Sequence, residues 1–363
     1  MSGTTRQMLG RLRLQSQLVS PTRSELKTPV DVVRWMTAMQ AQDFLGAKWS
    51  VGLRLPGSTD AGIETALADR SIVRSWPLRG TLHFVAAEDL HWMLALTRDR
   101  LIKRAATNFS REGLTAAVLD RAAHAARAAL TGGHALTRDE LYEFLADSGV
   151  SPLGQARYHA LWFLCQTGVL CMGPPQGKAQ TFVLLDEWVR QPRRLDHDEA
   201  LGELARRYFL SHGPATDRDF AWWSSLTLAD ARQGLAIASA QLRRLELDGV
   251  DYYLSPDLPD APPASGINLL PGFDEYLLGY SDRSAALAQE HESLVFPGKN
   301  GMFLPTIVVD GAVAGTWKRP STARKVAFDF RPFTSLTGRA KASVHTAANE
   351  YAKFVGLESS VPA

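Results

Sequence analysis

Residues 137–185 read TRDELYEFLADSGVSPLGQARYHALWFLCQTGVLCMGPPQGKAQTFVLL, and their pattern sets the architecture expected of the whole chain. Thr137-Arg138-Asp139-Glu140 has the spacing of a capping box: the Thr side chain accepts from an orphan helix N–H while Glu140 reaches back to the cap. Leu141, Phe144 and Leu145 then form an apolar stripe at helical spacing, and Gly149 stops the helix. A second helix is expected over 155–167, with Leu161, Leu164 and Cys165 inward and Gly168 at its end. An apolar strand (169–172), a Pro-Pro-Gln-Gly-Lys turn (174–178) and a second strand (181–185) follow.

The next stretch repeats this order. Thr216-Asp217-Arg218-Asp219 matches the first cap, with Phe220 and Trp223 standing where Leu141 and Phe144 stood. A second helix opens at Thr227-x-x-Asp230, and strands at 242–247 and 250–254 flank Asp248-Gly249, a strong hairpin signal. Helix, turn, helix and a two-stranded ribbon is the winged-helix pattern. A diverged first copy is expected in 8–90, with helices over 11–19, 30–40 and 60–68 and strands near 72–76 and 81–85. The expected fold is therefore α+β, with three tandem winged-helix units and a β-rich C-terminal region. Its divisions are 8–90, 91–186 (connecting helices, then the second unit from about 115), 196–255 and 266–357. Ser255 to Gly266 is a Pro- and Gly-rich linker, 267–280, 304–309 and 312–317 read as β structure, and a closing helix covers 343–354.

Composition narrows the function classes. The chain has 363 residues, 45% hydrophobic and 21% charged, enough for several modules with real cores. A net charge of +2 argues against a globally basic nucleic-acid coater, so any such surface must be a local cluster of Lys and Arg. The two cysteines, Cys165 and Cys171, join no Cys/His set with zinc spacing, so neither a metal nor a disulfide framework is expected. No stretch approaches the ~18 apolar residues of a membrane span, and no secretory signal is legible at the start. A cytoplasmic monomer without membrane contact or cofactor is expected.

In a helix-turn-helix the second helix enters a groove of the duplex and the ribbon or turn touches phosphates. Arg157 and His159 lie near the start of the second unit's recognition helix and Lys178 lies on its wing. Arg243 and Arg244 lie on the third unit's wing, and Lys318 and Arg319 end the late hairpin. An isolated exposed Lys or Arg is ordinarily a solvated surface residue. Recurrence at equivalent positions favours duplex DNA as the partner.

Few constellations offer chemistry. No Gly-rich phosphate loop, Ser/His/Asp elbow or HExxH occurs. Asp274-Glu275 reads either as a paired-acid site or as a turn Asp beside a surface Glu. His83, in Arg79-Gly80-Thr81-Leu82-His83, reads either as a phosphate or nucleotide contact or as a satisfied structural residue. The remaining oddity is Met39-Gln40-Ala41-Gln42-Asp43. Residues i and i+2 diverge by roughly 200° on a regular helix, so both amides converge on one pocket only if the helix ends near Met39.

The Gln-x-Gln motif after an amphipathic helix, the Arg79–His83 segment, 270–283 with Ser281-Asp282-Arg283, and 306–319 together resemble the winged-helix DNA glycosylases of the AlkZ-like type. The resemblance covers nearly the whole chain. It implies a C-shaped DNA clamp and a catalytic motif of Gln, aliphatic residue, Gln. Gln40 and Gln42 fit that motif with Ala41 as an unusually small middle residue, whereas Asp43 stands one place too late for the Gln-x-Asp variant of the YcaQ branch. It also implies duplex DNA carrying alkylated bases as substrate, with N7-alkylguanine, N3-alkyladenine and interstrand crosslink adducts as lesion classes, and hence association with the nucleoid. Arg79 and His83 then join the expected DNA contacts. A purine alkylated at N7 or N3 is cationic and already a good leaving group that need not be protonated, so neutral amides can serve by orienting a water at C1′. The alternative is a non-enzymatic winged-helix regulator or architectural factor, although no ligand domain or dimerisation helix is legible.

Overall fold

A computed structural model describes residues 5–19, 25–151, 154–177, 179–298 and 301–361. The chain opens with α1 (Arg6–Ser16), capped by the Thr5 side chain, and α2 (Pro29–Met36). A reciprocal Thr28/Asp31 box and Pro29 start α2, and the missing N–H of Pro is harmless at that position. Both helices stop short of the bounds expected from the sequence, Val19 and Gln40. Short strand β1 (Met39–Gln40), α3 (Phe44–Arg54) and α4 (Asp60–Ala68) come next, followed by β2 (Ile72–Leu78) and β3 (Thr81–Ala86). Arg79 and Gly80 join β2 to β3 with positive φ at both positions (54° and 70°), the geometry of a tight hairpin turn. Pro77 falls at the register break between Ser75 and Leu78, where no regular ladder bond needs its N–H.

A long helix, α5 (Leu90–Arg111), leads to α6 (Ala116–Leu130), β4 (Leu136–Thr137), α7 (Arg138–Asp147) and α8 (Ala156–Gln166). The ribbon β5 (Leu170–Met172) and β6 (Thr181–Leu184) and the single turn α9 (Leu185–Trp188) complete this stretch. The Thr137/Glu140 capping box is present in both directions. Leu141 and Leu145 are fully buried, but Phe144 is 42% exposed, so the α7 stripe is narrower than expected. Leu141 and Leu145 lie in one i, i+4 row, and Phe144 stands on its flank. The ribbon does not stand alone: strands run in the order β3-β2-β5-β6-β4, with Arg74 of β2 opposite Met172 of β5.

The same element order returns downstream. It comprises α10 (His197–His212), an Ala215–Tyr253 bridge, α11 (Asp217–Ser224), α12 (Leu228–Ala238), β7 (Arg243–Leu247) and β8 (Val250–Leu254). Thr216 and Asp219 cap each other's backbone, Thr227 caps α12, and Asp248-Gly249 turns with φ of 52° and 74°. The C-terminal part contains β9 (Ile267–Leu270), α13 (Glu275–Leu278), α14 (Glu292–Val295), β10 (Thr306–Val309) and β11 (Ala312–Lys318). It ends with β12 (Lys325–Ala327), β13 (Asp329–Pro332), α15 (Gly338–Val355) and β14 (Glu358–Ser360). Strands β13, β11, β10 and β9 form an antiparallel sheet in that order. The β structure expected through residue 280 stops at Leu270, because Asp274 caps α13 by accepting from the Tyr276 amide.

The α+β chain divides into two compact units, Met1–Glu64 with Leu201–Trp223 and Thr227–Ala363, and Thr65–Ala200 with Ser224–Leu226. The first unit has a core around Leu14, Leu270, Tyr276, Leu277 and Val308, the second around Phe109, Leu130, Leu145, Leu161 and Phe182. Among the described residues, no helix is long and apolar enough to cross a membrane, and no group of His, Cys, Asp or Glu is arranged to hold a metal ion.

Candidate active site

The Gln40–Gln42 segment owes its geometry to the residue that ends α2. Thr37 has φ 69° and ψ −56°, and the Ala38 amide donates to the Met36 carbonyl at 2.8 Å. This is a γ-turn of the rarer, positive-φ kind, strained for any L residue and more so for a β-branched one. The chain thus leaves the helix three residues before Gln40, runs extended through Met39–Gln40, and re-enters helix with Asp43 as the N-cap residue of α3. The expected departure from regular helix is present. Ala41 is fully buried and Gln42 is exposed, while Gln40 keeps only 8% of its surface accessible.

Two neighbouring carboxylates of the C-terminal region hold this segment and the helix after it. The Glu275 carboxylate accepts from the Gln40 backbone amide through Oε1 (2.9 Å) and from the Trp223 indole through Oε2 (2.9 Å), with His212 Nε2 at 3.6 Å from Oε2. Asp274 receives both Arg54 Nη atoms at 2.8 Å and the Ser50 hydroxyl at 2.5 Å, so it pins α3 from within. Gln17 links the two arrangements: its side chain accepts from Arg54 and donates to the Glu275 carbonyl and the Tyr280 hydroxyl. Neither carboxylate behaves as a surface residue, since Asp274 is 5% and Glu275 0% exposed. The alternative of a turn Asp beside a surface Glu therefore holds only for the helix-capping Asp.

On the exposed side, Asp43 accepts from Arg319 Nη2 at 3.2 Å, and Arg319 lies over the rings of Trp317 and Tyr351. Gly46 permits this packing, because a Cβ there would come within 2.5 Å of the Asp43 carboxylate. Lys48, the nearest amine along α3, is buried with its ammonium held at 2.7 Å by both Asp60 and Glu64.

The other candidate contacts are distributed. His83 is fully buried, with Nδ1 at 2.8 Å from the Thr81 carbonyl and Nε2 at 3.0 Å from Arg79 Nη2, which is the geometry of a satisfied structural histidine. Arg157 is exposed and lies over the Tyr142 ring, while His159 is tied to Glu112 at 2.6 Å. Arg243 and Arg244 sit on β7 as expected, each in an ion pair, with Asp260 and Asp251 respectively. Lys318 is exposed at the end of β11. Lys178 lies outside the described residues.

Sequence reading missed the partner of Glu275 and the turn at Thr37. A carboxylate set among Leu270, Phe273, Tyr276, Leu277 and Leu278 signals burial, but nothing local reveals that its partner lies 235 positions away. A Thr in a positive-φ turn has no sequence signature of its own.

Comparison with known proteins agrees over most of the chain. The DNA glycosylase AlkZ-like family matches residues 33–354. An interstrand DNA cross-link repair glycosylase of Streptomyces sahachiroi is 30% identical over 326 residues, covering 84% of this chain and 85% of that protein. The solved structure of the Streptomyces sahachiroi DNA glycosylase AlkZ superposes with a TM-score of 0.82 at 26% identity, covering 99% of this chain and all of that one.

Proposed function

The chain belongs to the AlkZ-like DNA glycosylase family, and from that premise we propose that Gln40 and Gln42 position the water that displaces a cationic, N-alkylated purine from duplex DNA. The observation that carries this reading is the broken helix. The γ-turn at Thr37 takes the segment out of the helical geometry that would set the two amides on opposite faces, and Glu275 fixes its backbone.

An alkyl group on N7 of guanine or N3 of adenine makes the base a good leaving group without protonation. Departure leaves an oxocarbenium-like sugar, and a water at C1′ must be oriented to meet it. An amide both donates and accepts, so two amides can fix that water although neither is a strong base. Neither amide can form a Schiff base with the sugar, and the Lys48 ammonium is committed to two carboxylates. The enzyme is accordingly monofunctional and leaves an abasic site.

The repeated order of helix, short strand, helix, helix and ribbon supports reading 91–186 and 196–255 as winged-helix units, with 8–90 as the first of three and 266–357 as the β-rich remainder. Arg157, Lys178, Arg243, Arg244, Lys318 and Arg319 are then the phosphate contacts, with Arg79 on the first hairpin, its guanidinium oriented by the buried His83. The relative named for interstrand cross-link repair supports including crosslink adducts in the proposed substrate class. The deciding experiment is release of N7-methylguanine from alkylated duplex DNA by wild type, Gln40→Ala and Gln42→Ala. Release that both substitutions leave unchanged moves catalysis elsewhere.

A further inference from the structure

We infer that Glu275 is a positioning residue of the excision reaction, its carboxylate fixing the Gln40 backbone through one oxygen while the Trp223 indole fixes the other. The inference rests on the reading of Gln40 and Gln42 as the water-holding pair. Two independent features of the fold lead to it.

The first is strain. A positive-φ γ-turn on a Thr survives only where its surroundings over-determine it, and Thr37, Ala38 and Met39 are all fully buried. The segment after the turn needs an external anchor, and the Glu275–Gln40 bond at 2.9 Å supplies one. The second is the cost of the anchor itself. A carboxylate with no exposed surface is retained only when its oxygens are satisfied by well-aimed donors. Those donors include the Gln40 amide and the Trp223 indole. The base of Glu275 is fixed in turn, because the adjacent Asp274 is locked by Arg54 and the Glu275 carbonyl accepts from Gln17. A displacement of about 1 Å at a positioning group can cost 10²-fold in rate, so Glu275 governs excision through Gln40 without touching DNA.

Replacing Glu275 by Gln alone sets an NH2 against the Trp223 N–H, two donors face to face. The informative comparison therefore uses the Trp223→Phe background, in which the opposing donor is gone. There Glu275→Gln still offers an oxygen to the Gln40 amide and Glu275→Leu offers none. The assays are single-turnover release of N7-methylguanine at excess enzyme, duplex Kd, and urea unfolding, all on the full chain. The expected result is a rate for Glu275→Leu/Trp223→Phe about 10- to 100-fold below that of Glu275→Gln/Trp223→Phe, with Kd within about twofold. Glu275→Gln alone should be slower than its double variant, and the rates should keep this order under conditions where the urea curves show every variant fully folded, which a merely structural role would not produce. Equal rates for the two double variants, or a difference confined to Kd, overturn the inference. If Gln40→Ala and Gln42→Ala themselves excise at the wild-type rate, the underlying reading of the motif fails instead. If they are slow while the Glu275 series is flat, only this inference fails.

Discussion

The backbone amide of Gln40 donates to Glu275 Oε1 at 2.9 Å, joining residues 235 positions apart in sequence. The bond uses the main chain of Gln40 and does not draw on its side-chain amide. A carboxylate that would read as a catalytic acid in isolation is thereby committed to shaping the chain beside it.

If the two amides orient one water, replacing either Gln40 or Gln42 by Ala should lower base excision by about 10²-fold or more, the scale of losing a positioning or acid–base group. Duplex affinity should barely change, since neither residue neutralises phosphate. Gln42→Asp should keep partial activity, because a carboxylate still accepts from the water and stabilises a cationic sugar. Gln42→Leu should not. Single-turnover rates and Kd on the same alkylated duplex decide the matter.

The Arg54–Asp274 pair makes a separate stability prediction. Its side chains are 0% and 3% exposed and bonded at two points. Removing one partner strands a buried charge, which costs ~3–5 kcal/mol. Arg54→Met should therefore lower the urea midpoint far more than Arg243→Met, whose partner Asp260 is 92% exposed. Equal shifts for the two variants would mean that water reaches Asp274 once Arg54 is gone.

Much of the fold is legible in the sequence, for identifiable reasons. Capping boxes at Thr137/Glu140 and Thr216/Asp219 and the Asp248-Gly249 turn are local chemistry, and the structure reproduces them. The Gln-x-Gln motif stands out because its spacing conflicts with a helix, and the helix does end before it. What escapes the sequence is non-local or crowded. Met39 continues the apolar pattern of Val32 and Met36 and so extends α2 on paper, while the break lies in the backbone of Thr37. The pairing of β2 with β5 joins two hairpins that each look self-sufficient in sequence. For Glu275 the sequence leaves a paired-acid site and a surface carboxylate both open, because charge is normally solvated, and only its tertiary partners decide against the surface.

Burial pushes the thiols of Cys165 and Cys171 well above the ordinary cysteine range. A raised thiol pKa means less thiolate at a given pH, and the thiolate is the reactive form. At pH 8 the native protein should therefore leave Ellman's reagent essentially unreacted over minutes, and both thiols should titrate once urea unfolds it. One rapid equivalent under native conditions would show that the α8–β5 region opens locally on that timescale.

The last prediction concerns the β7–β8 ribbon. Arg243 and Arg244 stand on one strand, paired with Asp260 and Asp251. Exposed pairs of this kind are screened by salt and exchange readily for another anion. If the ribbon meets duplex phosphates, the two arginines trade their carboxylates for phosphate oxygens on binding. Arg243→Glu and Arg244→Glu should then weaken affinity on every duplex sequence tested and flatten the plot of log K against log salt by up to ~1 for each phosphate no longer neutralised. Asp251→Ala should act in the opposite direction, because it removes both the competing carboxylate and a negative charge from the ribbon. Excision measured at saturating enzyme should be unaffected by all three, since the substitutions lie outside the Gln40–Glu275 arrangement. Arg319→Glu should differ by slowing saturated turnover as well, because Arg319 bonds Asp43, the residue next to Gln42. A salt slope unchanged by Arg243→Glu and Arg244→Glu would show that the ribbon faces away from the duplex.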